Sequence, residues 1–380
     1  AIQVMLDPAD CGPATIAMSQ DVQAEAYDYP EIFFEEKIHE IIRPRPDSNQ
    51  IQAAAEKIKS SKQPIIISGG GVLYSEAEQE LSDFAKKHNI PVTSTVMGLG
   101  CMDNDDPYYI GNIGGLGDKS SNNLSKDTDL ALAVGTKLAD FTTGSWSNFE
   151  NDDFKLVSIN TARYDVTKHR STPVISDAKI AFQELSKALD DWKAPDIWFE
   201  RAIKERTDWK NYVEKQSGPT NQELPSYAHA VGAVYRNSDP SDIVVTAAGG
   251  LVGEVIQVWR PKQKNTFESE WGFSCMGYEI SGALGIKMAK PDQDVVVYVG
   301  DGSYLLANRD IYSSVIYDKK LIIIVCDNGG HMVINRLQLA KGGKEYICNL
   351  RSARATNLQF VDFEAHAKSM GANAETVTSN

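Results

Sequence analysis

Two apolar runs end in the same kind of turn, and their spacing decides what the second half of this chain can be. Val295–Val299 (VVVYV) closes on Gly300-Asp301-Gly302-Ser303, and Leu321–Val325 (LIIIV) leads through Cys326 to Asp327-Asn328-Gly329-Gly330. Short β-branched runs bounded by Gly, Asp and Asn read as buried strands. The 27 positions from Asp301 to Asn328 have room for one helix and one strand, which makes a strand-helix-strand unit. Such units build parallel sheets that bind ligands outside the carboxyl ends of their strands. Asp301 and Asn328 then emerge side by side at that rim. With the backbone carbonyl of Gly330 they form a set of hard oxygen ligands suited to Mg²⁺, a diphosphate and water completing the shell. The glycines let backbone amides approach phosphate, and the following helix offers its positive end. One Asp-Gly or Asn-Gly alone is ordinarily a cap or a turn; two at matched strand ends are not.

Upstream, Ile243–Ala247 (IVVTA) runs into Gly249-Gly250. Successive glycine amides there can nest a terminal phosphate, or the pair is a plain turn from strand to helix. Gly272–Glu279 (GFSCMGYE) precedes a small-residue helix, ISGALGIKMA, in which Gly282 and Gly285 would allow tight packing. Met276 there is either core or part of the site. Of the six histidines, His331 alone is placed to face a substrate; His39, His88, His169, His229 and His366 read as surface or structural.

The first half alternates regularly. A helix capped by Ser48 runs to about Ser60, Pro64 opens the strand IIIS, and Ser75 with Glu78 has the pattern of a capping box for a helix to about His88. Further strands are expected at Pro91–Thr95, Leu130–Val134 and Lys155–Ile159, and Asp177 precedes a helix at Ala178–Leu189. The expected fold class is therefore α/β, two consecutive parallel-sheet domains, the middle one Rossmann-like. Middle-domain residues 31–190, a linker with a helix over 191–223 and a second domain over 224–380 follow. Residues 1–30 hold one strand candidate, Ala14–Ser19; residues 31–43 suggest a short amphipathic helix, and Arg43-Pro44-Arg45-Pro46 a stiff connector. The loop Ser68–Ser75 could cradle a flavin or nicotinamide dinucleotide, but it lacks the full G-x-G-x-x-G spacing and reads equally as a tight packing turn.

Composition narrows the partners. The 380 residues carry a formal net charge of −14, which repels nucleic acid and acidic membrane surfaces. A diphosphate would therefore have to be held by a metal and by backbone amides. The five cysteines are scattered without a C-x-x-C pair, which suits a reducing, cytoplasmic setting. No apolar run reaches the roughly 18 residues of a membrane span. There is no G-x-S-x-G elbow and no H-E-x-x-H motif. The start at Ala1 without methionine and the stop at Asn380 read as a piece of a longer polypeptide or a trimmed chain.

GDG, an apolar strand and Asn-x-Gly at this spacing resemble the signature of thiamine diphosphate (ThDP) enzymes. The resemblance covers nearly the whole chain and is to the acetolactate synthase type: residues 1–30 resemble the tail of a pyrimidine-binding domain, the central half a middle domain, the C-terminal half a diphosphate-binding domain. Ser19–Pro30, Arg43–Pro46, Ala133–Thr136 with Asp140–Trp146, and Gly272–Glu279 are similar to a subgroup of inositol catabolism. That subgroup implies a ThDP- and Mg²⁺-dependent hydrolase that opens a trihydroxylated cyclic 1,2-dione to 5-deoxyglucuronate, as a homodimer or homotetramer. The resemblance makes Asp301, Asn328 and the Gly330 carbonyl the metal ligands. It assigns diphosphate to the amides of Gly249, Gly250, Gly302 and Ser303, the cofactor's bend to Met276 and its amine to the Ser274 carbonyl. Asp327 stands where the family usually has a first Asn, and His331 where it often has an aromatic. The activating glutamate of the family belongs to the pyrimidine-binding domain, so the 380 residues alone are expected to show no turnover. Other readings remain: a carboligase or lyase of 2-oxo acids, a flavin- or nucleotide-binding oxidoreductase, and a non-catalytic fragment.

Overall fold

In the computed structural model, which describes residues 1–221, 224–352, 354, 357 and 359–378, two parallel sheets account for every strand. The last two positions of the expected linker, 222 and 223, and the final two residues of the second expected domain lie outside the described residues. The first sheet contains β1 (Pro64–Ser68), β2 (Val92–Ser94), β3 (Tyr109–Asn112), β4 (Leu130–Val134), β5 (Lys155–Asn160) and β6 (Thr172–Ile175). Their order is β3-β2-β1-β4-β5-β6, the doubly wound arrangement. The second contains β7 (Ile243–Thr246), β8 (Phe267–Ser269), β9 (Val295–Gly300) and β10 (Ile322–Cys326), ordered β10-β9-β7-β8. The expected fold class, two parallel α/β sheets in succession, is what the chain adopts.

The middle sheet is sealed by helices whose apolar residues recur at helical spacing. Ile51, Ala54, Ala55 and Ile58 line the buried face of Ser48–Lys59, and Ala181, Phe182, Leu185 and Leu189 that of Ala178–Leu189. Phe182 meets Phe84 of Glu78–His88 with ring centroids 5.3 Å apart. Fully burying side chains of this size contributes about 1.5–3 kcal/mol each. Asp177 caps its helix by accepting from the Lys179 amide at 3.0 Å.

Several local expectations fail for physical reasons. Asp47, not Ser48, caps the first of these helices, its carboxylate accepting from Asn49 N. Ser75 does not cap Glu78–His88, whose N-cap is Ala77; its hydroxyl instead accepts from the Ala178 amide. Ala14–Ser19 pairs with no strand, and of residues 31–43 only Glu31–Phe34 forms a 3₁₀ turn. Phe33, Phe34 and Ile38 are all exposed, so a short helix there would have no surface to bury and nothing to offset its nucleation cost. The unexpected strands β3, β6 and β8 are short and carry Gly, Pro or Glu. Pro173 sits in β6, at the sheet's edge, where its missing N–H breaks no ladder. Gly282 and Gly285 admit no neighbouring helix: a side chain at Gly282 would strike Tyr278 one turn away, and Gly285 faces open space.

The two sheets are joined by Asp196–Ser217, a 22-residue helix. Its Trp198 belongs to the middle core and donates its indole N–H to Pro64 O at 2.8 Å, while Val213 belongs to the second core. Val96 and Leu99 reach from the middle domain into that second core as well.

Candidate functional site

β10, β9 and β7 are adjacent, and Cys326 pairs with Gly300, so the residues after them leave the sheet side by side. Asp301 opens the helix Asp301–Leu306 and is 4% exposed. Its Oδ2 accepts from the Gly330 amide at 2.7 Å. Burial raises the Asp301 carboxyl above the usual carboxylate range, against the lowering effect of the Gly330 and Gly302 amides. Asn328 donates its side-chain N–H to the Tyr227 hydroxyl, and its amide oxygen has no protein donor among the described residues. The turn is pinned from outside: His331 N donates to Cys348 O at 2.8 Å and Leu350 N to Gly329 O at 2.9 Å. Gly330 has φ +139°, and a Cβ there would collide with the Cys348 carbonyl, so only glycine fits.

Across the rim, Gly249 has φ +84° and Gly250 φ −79°, ψ −20°. A left-handed residue followed by a right-handed one turns successive N–H groups to one side, the geometry of an anion nest, and the helix Leu251–Val258 begins directly after it. The Arg336 guanidinium stands so close that a Cβ on Gly250 would collide with it. Arg336 is exposed and forms no ion pair among the described residues. The sequence reading, which left phosphate to metal and amides, missed this cation; it lies 86 positions from Gly250 and no local pattern marks it.

Met276 is 39% exposed, and its methyl lies 3.5 Å from where a Gly302 side chain would begin. The His331 ring borders the same point at 2.8 Å. Gly302 thus lies between Met276 and His331. Ser274 has φ +52° in a loop tied down by the Glu270 carboxylate, which accepts from the amides of Phe273 and Cys275. The Ser303 hydroxyl is already engaged with Glu279, which leaves its backbone amide as the group to consider. Glu279 has no role in the sequence pattern read alone. An acid at the start of a nearly all-apolar helix was the signal.

The loop Ser68–Ser75 is different. Gly69 N donates to Val134 O at 2.8 Å and Gly71 N to Gly135 O at 2.9 Å, and side chains at Gly69 or Gly71 would strike the Gly135 backbone. Its glycines serve close packing of two loops, and those amides are not turned to a phosphate. A flavin or nicotinamide there has no support.

No three His, Cys, Asp or Glu side chains gather as a metal-ligand set among the described residues. A site made of one carboxylate, one amide oxygen and one carbonyl is not of that kind. No helix among the described residues is long and apolar enough to cross a membrane.

Residues 51–185 match the model of the thiamine pyrophosphate enzyme central domain, and residues 247–380 that of the C-terminal TPP binding domain. Among curated proteins, the chain is 35% identical over 401 residues to a 3D-(3,5/4)-trihydroxycyclohexane-1,2-dione hydrolase of Halalkalibacterium halodurans, covering 100% of this chain and 63% of the relative. It is 36% identical to the protein of that name from Bacillus licheniformis, over 98% of this chain and 62% of the relative. The one from Clostridium tetani is 35% identical at the same two coverages. The chain thus spans a little under two thirds of the length of these relatives. Two successive domain models, matched in order, settle the family: the chain belongs to the thiamine pyrophosphate enzymes and carries their central and C-terminal TPP-binding domains.

Proposed function

We propose that this chain holds the diphosphate end of thiamine diphosphate with Mg²⁺, and that the whole polypeptide hydrolyses a trihydroxycyclohexane-1,2-dione. The named relatives support the substrate class. The observation that carries the cofactor reading is the buried Asp301 carboxylate bonded to the Gly330 amide across adjacent strand ends. It brings a carboxylate, the Asn328 side chain and the Gly330 carbonyl to one rim, the oxygen set that Mg²⁺ takes at about 2.1 Å.

When bound, the cofactor supplies a thiazolium that can add to a carbonyl and hold the electron pair left when a C–C bond breaks. The residues of this chain position it. Asp301, Asn328 and Gly330 would neutralise the diphosphate through the metal. The amides of Gly249, Gly250, Gly302 and Ser303 would take phosphate oxygens, with Arg336 adding a charge-assisted contact at the nest. Met276, beside Gly302, would support the bend, and the Ser274 carbonyl would accept the cofactor's amine. His331, exposed next to Gly302, would meet the substrate. A second copy of the polypeptide, in a homodimer or homotetramer, is the partner we assign to the exposed apolar surface of the second domain, and the cytoplasm is its place of work.

The test is titration calorimetry on the full-length polypeptide. It should bind ThDP only with Mg²⁺ and turn over the cyclic dione in preference to pyruvate, and Asp301→Ala should abolish the Mg²⁺-dependent binding. Undiminished ThDP affinity in that variant would remove Asp301 from the site.

A further inference from the structure

Glu279 is 1% exposed, yet no cation pairs with it among the described residues. A buried carboxylate without a counter-charge must be satisfied by hydrogen bonds. Its donors come from three separate segments of the rim. The Ser303 hydroxyl lies 2.9 and 2.8 Å from its two oxygens. The Gly277 amide donates to Oε2 at 2.9 Å and also lies 2.8 Å from Ser303 Oγ, and the Ala248 amide approaches Oε1 at 3.5 Å. Gly277 follows Met276, Ala248 precedes the Gly249-Gly250 nest, and Ser303 is two residues beyond Asp301.

We infer that Glu279 is a positioning residue that locks the Met276 loop to the diphosphate end of the site, so that one cofactor can touch both. This rests on the cofactor reading above. The reason is the conformation of Gly277. At φ +93°, where a side chain would strike Ala307, Gly277 has no side chain of its own to anchor its end of the Met276 loop. The Gly277 amide is held instead by Glu279 and Ser303 together, and the long Ala248 contact makes the hold on the nest the weaker of the two. Glu279 touches neither metal nor phosphate in this arrangement; it acts through the residues it holds.

Two probes separate the ends of the site in the full-length polypeptide. Inorganic pyrophosphate with Mg²⁺ samples only the diphosphate end, whereas ThDP with Mg²⁺ also needs the Met276 loop. Glu279→Ala should weaken ThDP binding about 10- to 100-fold, the range for losing a partner that orients a ligand-holding residue. It should weaken pyrophosphate binding by a factor at least threefold smaller. Glu279→Gln keeps the shape and one acceptor oxygen and should restore most of the ThDP affinity, which keeps the test usable if the alanine variant fails to fold. Unchanged ThDP affinity in both variants, or equal losses for the two ligands, would overturn the inference. A wild-type protein that binds neither ligand would sink the cofactor reading itself, a separate and recognisable outcome.

Discussion

β1 and β10 are both five-residue apolar strands of parallel sheets, and they live in different surroundings. Ile65, Ile66 and Ile67 of β1 have no exposed surface, with strands on either side and helices above and below. β10 lies at the edge of its sheet, and Ile322 to Val325 are all half-buried. Around it Leu306, Ile316 and Tyr317 stay about 60% exposed or more, and Phe273, in the Met276 loop, 92%. The middle domain closes its own core. The second domain keeps apolar surface unspent on the flank that carries the candidate site, and regions that must admit ligands or partners are drawn from the less consolidated parts of a fold.

The sharpest way to break this contrast is to cut the same side chain in both places. Ile66→Ala should cost about 2–5 kcal/mol of stability in urea titrations, the usual range for a cavity in a closed core. Ile323→Ala, where solvent already reaches the strand, should cost about 1 kcal/mol. Equal losses would mean that the second sheet is as consolidated as the first.

A pH-dependent effect is expected at the joint between the regions. The Asp118 carboxyl is pushed up to about 7 by burial, against a bond from the Asn112 amide, beside a cavity of about 30 Å³ lined also by Arg206 and Arg260. Its folded value lies above the unfolded one, so the folded state holds the proton longer. Below about pH 4 both states are protonated. As pH rises from there towards 7 the unfolded chain ionises first, and stability falls by about 1.4 kcal/mol per unit of difference at most. Asp118→Asn should flatten that decline in a pH series of thermal melts; a wild-type curve already flat across the window would contradict it.

The smallest effect should leave the fold untouched. Arg336→Ala should weaken ThDP binding by the full-length protein about 3- to 10-fold, or about 1 kcal/mol, and reduce its salt dependence without moving the melting temperature. A stability change as large as the binding change would make Arg336 part of the scaffold instead.

What the sequence made legible was whatever local chemistry writes down. β4 and the helix Ala178–Leu189 with its Asp177 cap stand at the positions their apolar patterns mark. β7, β9 and β10 lie within a residue or two of theirs, because a buried parallel strand must be continuously apolar. β8 reads as FES and could not be seen, since only its pairing with β7 makes it a strand. At the candidate site, the glycines and the Asp301–Gly330 turn could be named because special backbone angles restrict residue type. Arg336, Tyr227 and the donors around Glu279 are set by tertiary approach, and long charged or aromatic side chains leave no periodic trace of where they end. The glycine loop after β1 shows the converse: a motif that suggests phosphate is used to let two backbones touch.

The helix Asp196–Ser217 acts on the molecule as a tie rod. Trp198 is bolted under β1 and Val213 is embedded in the second core, 15 residues on, which at 1.5 Å per residue sets the fastenings roughly 22 Å apart. Rotation of one sheet against the other would have to pull the indole from Pro64, unseat Val213 or bend the rod between them. A hinge at this joint is therefore mechanically disfavoured, and the frame that carries the rim keeps its gauge.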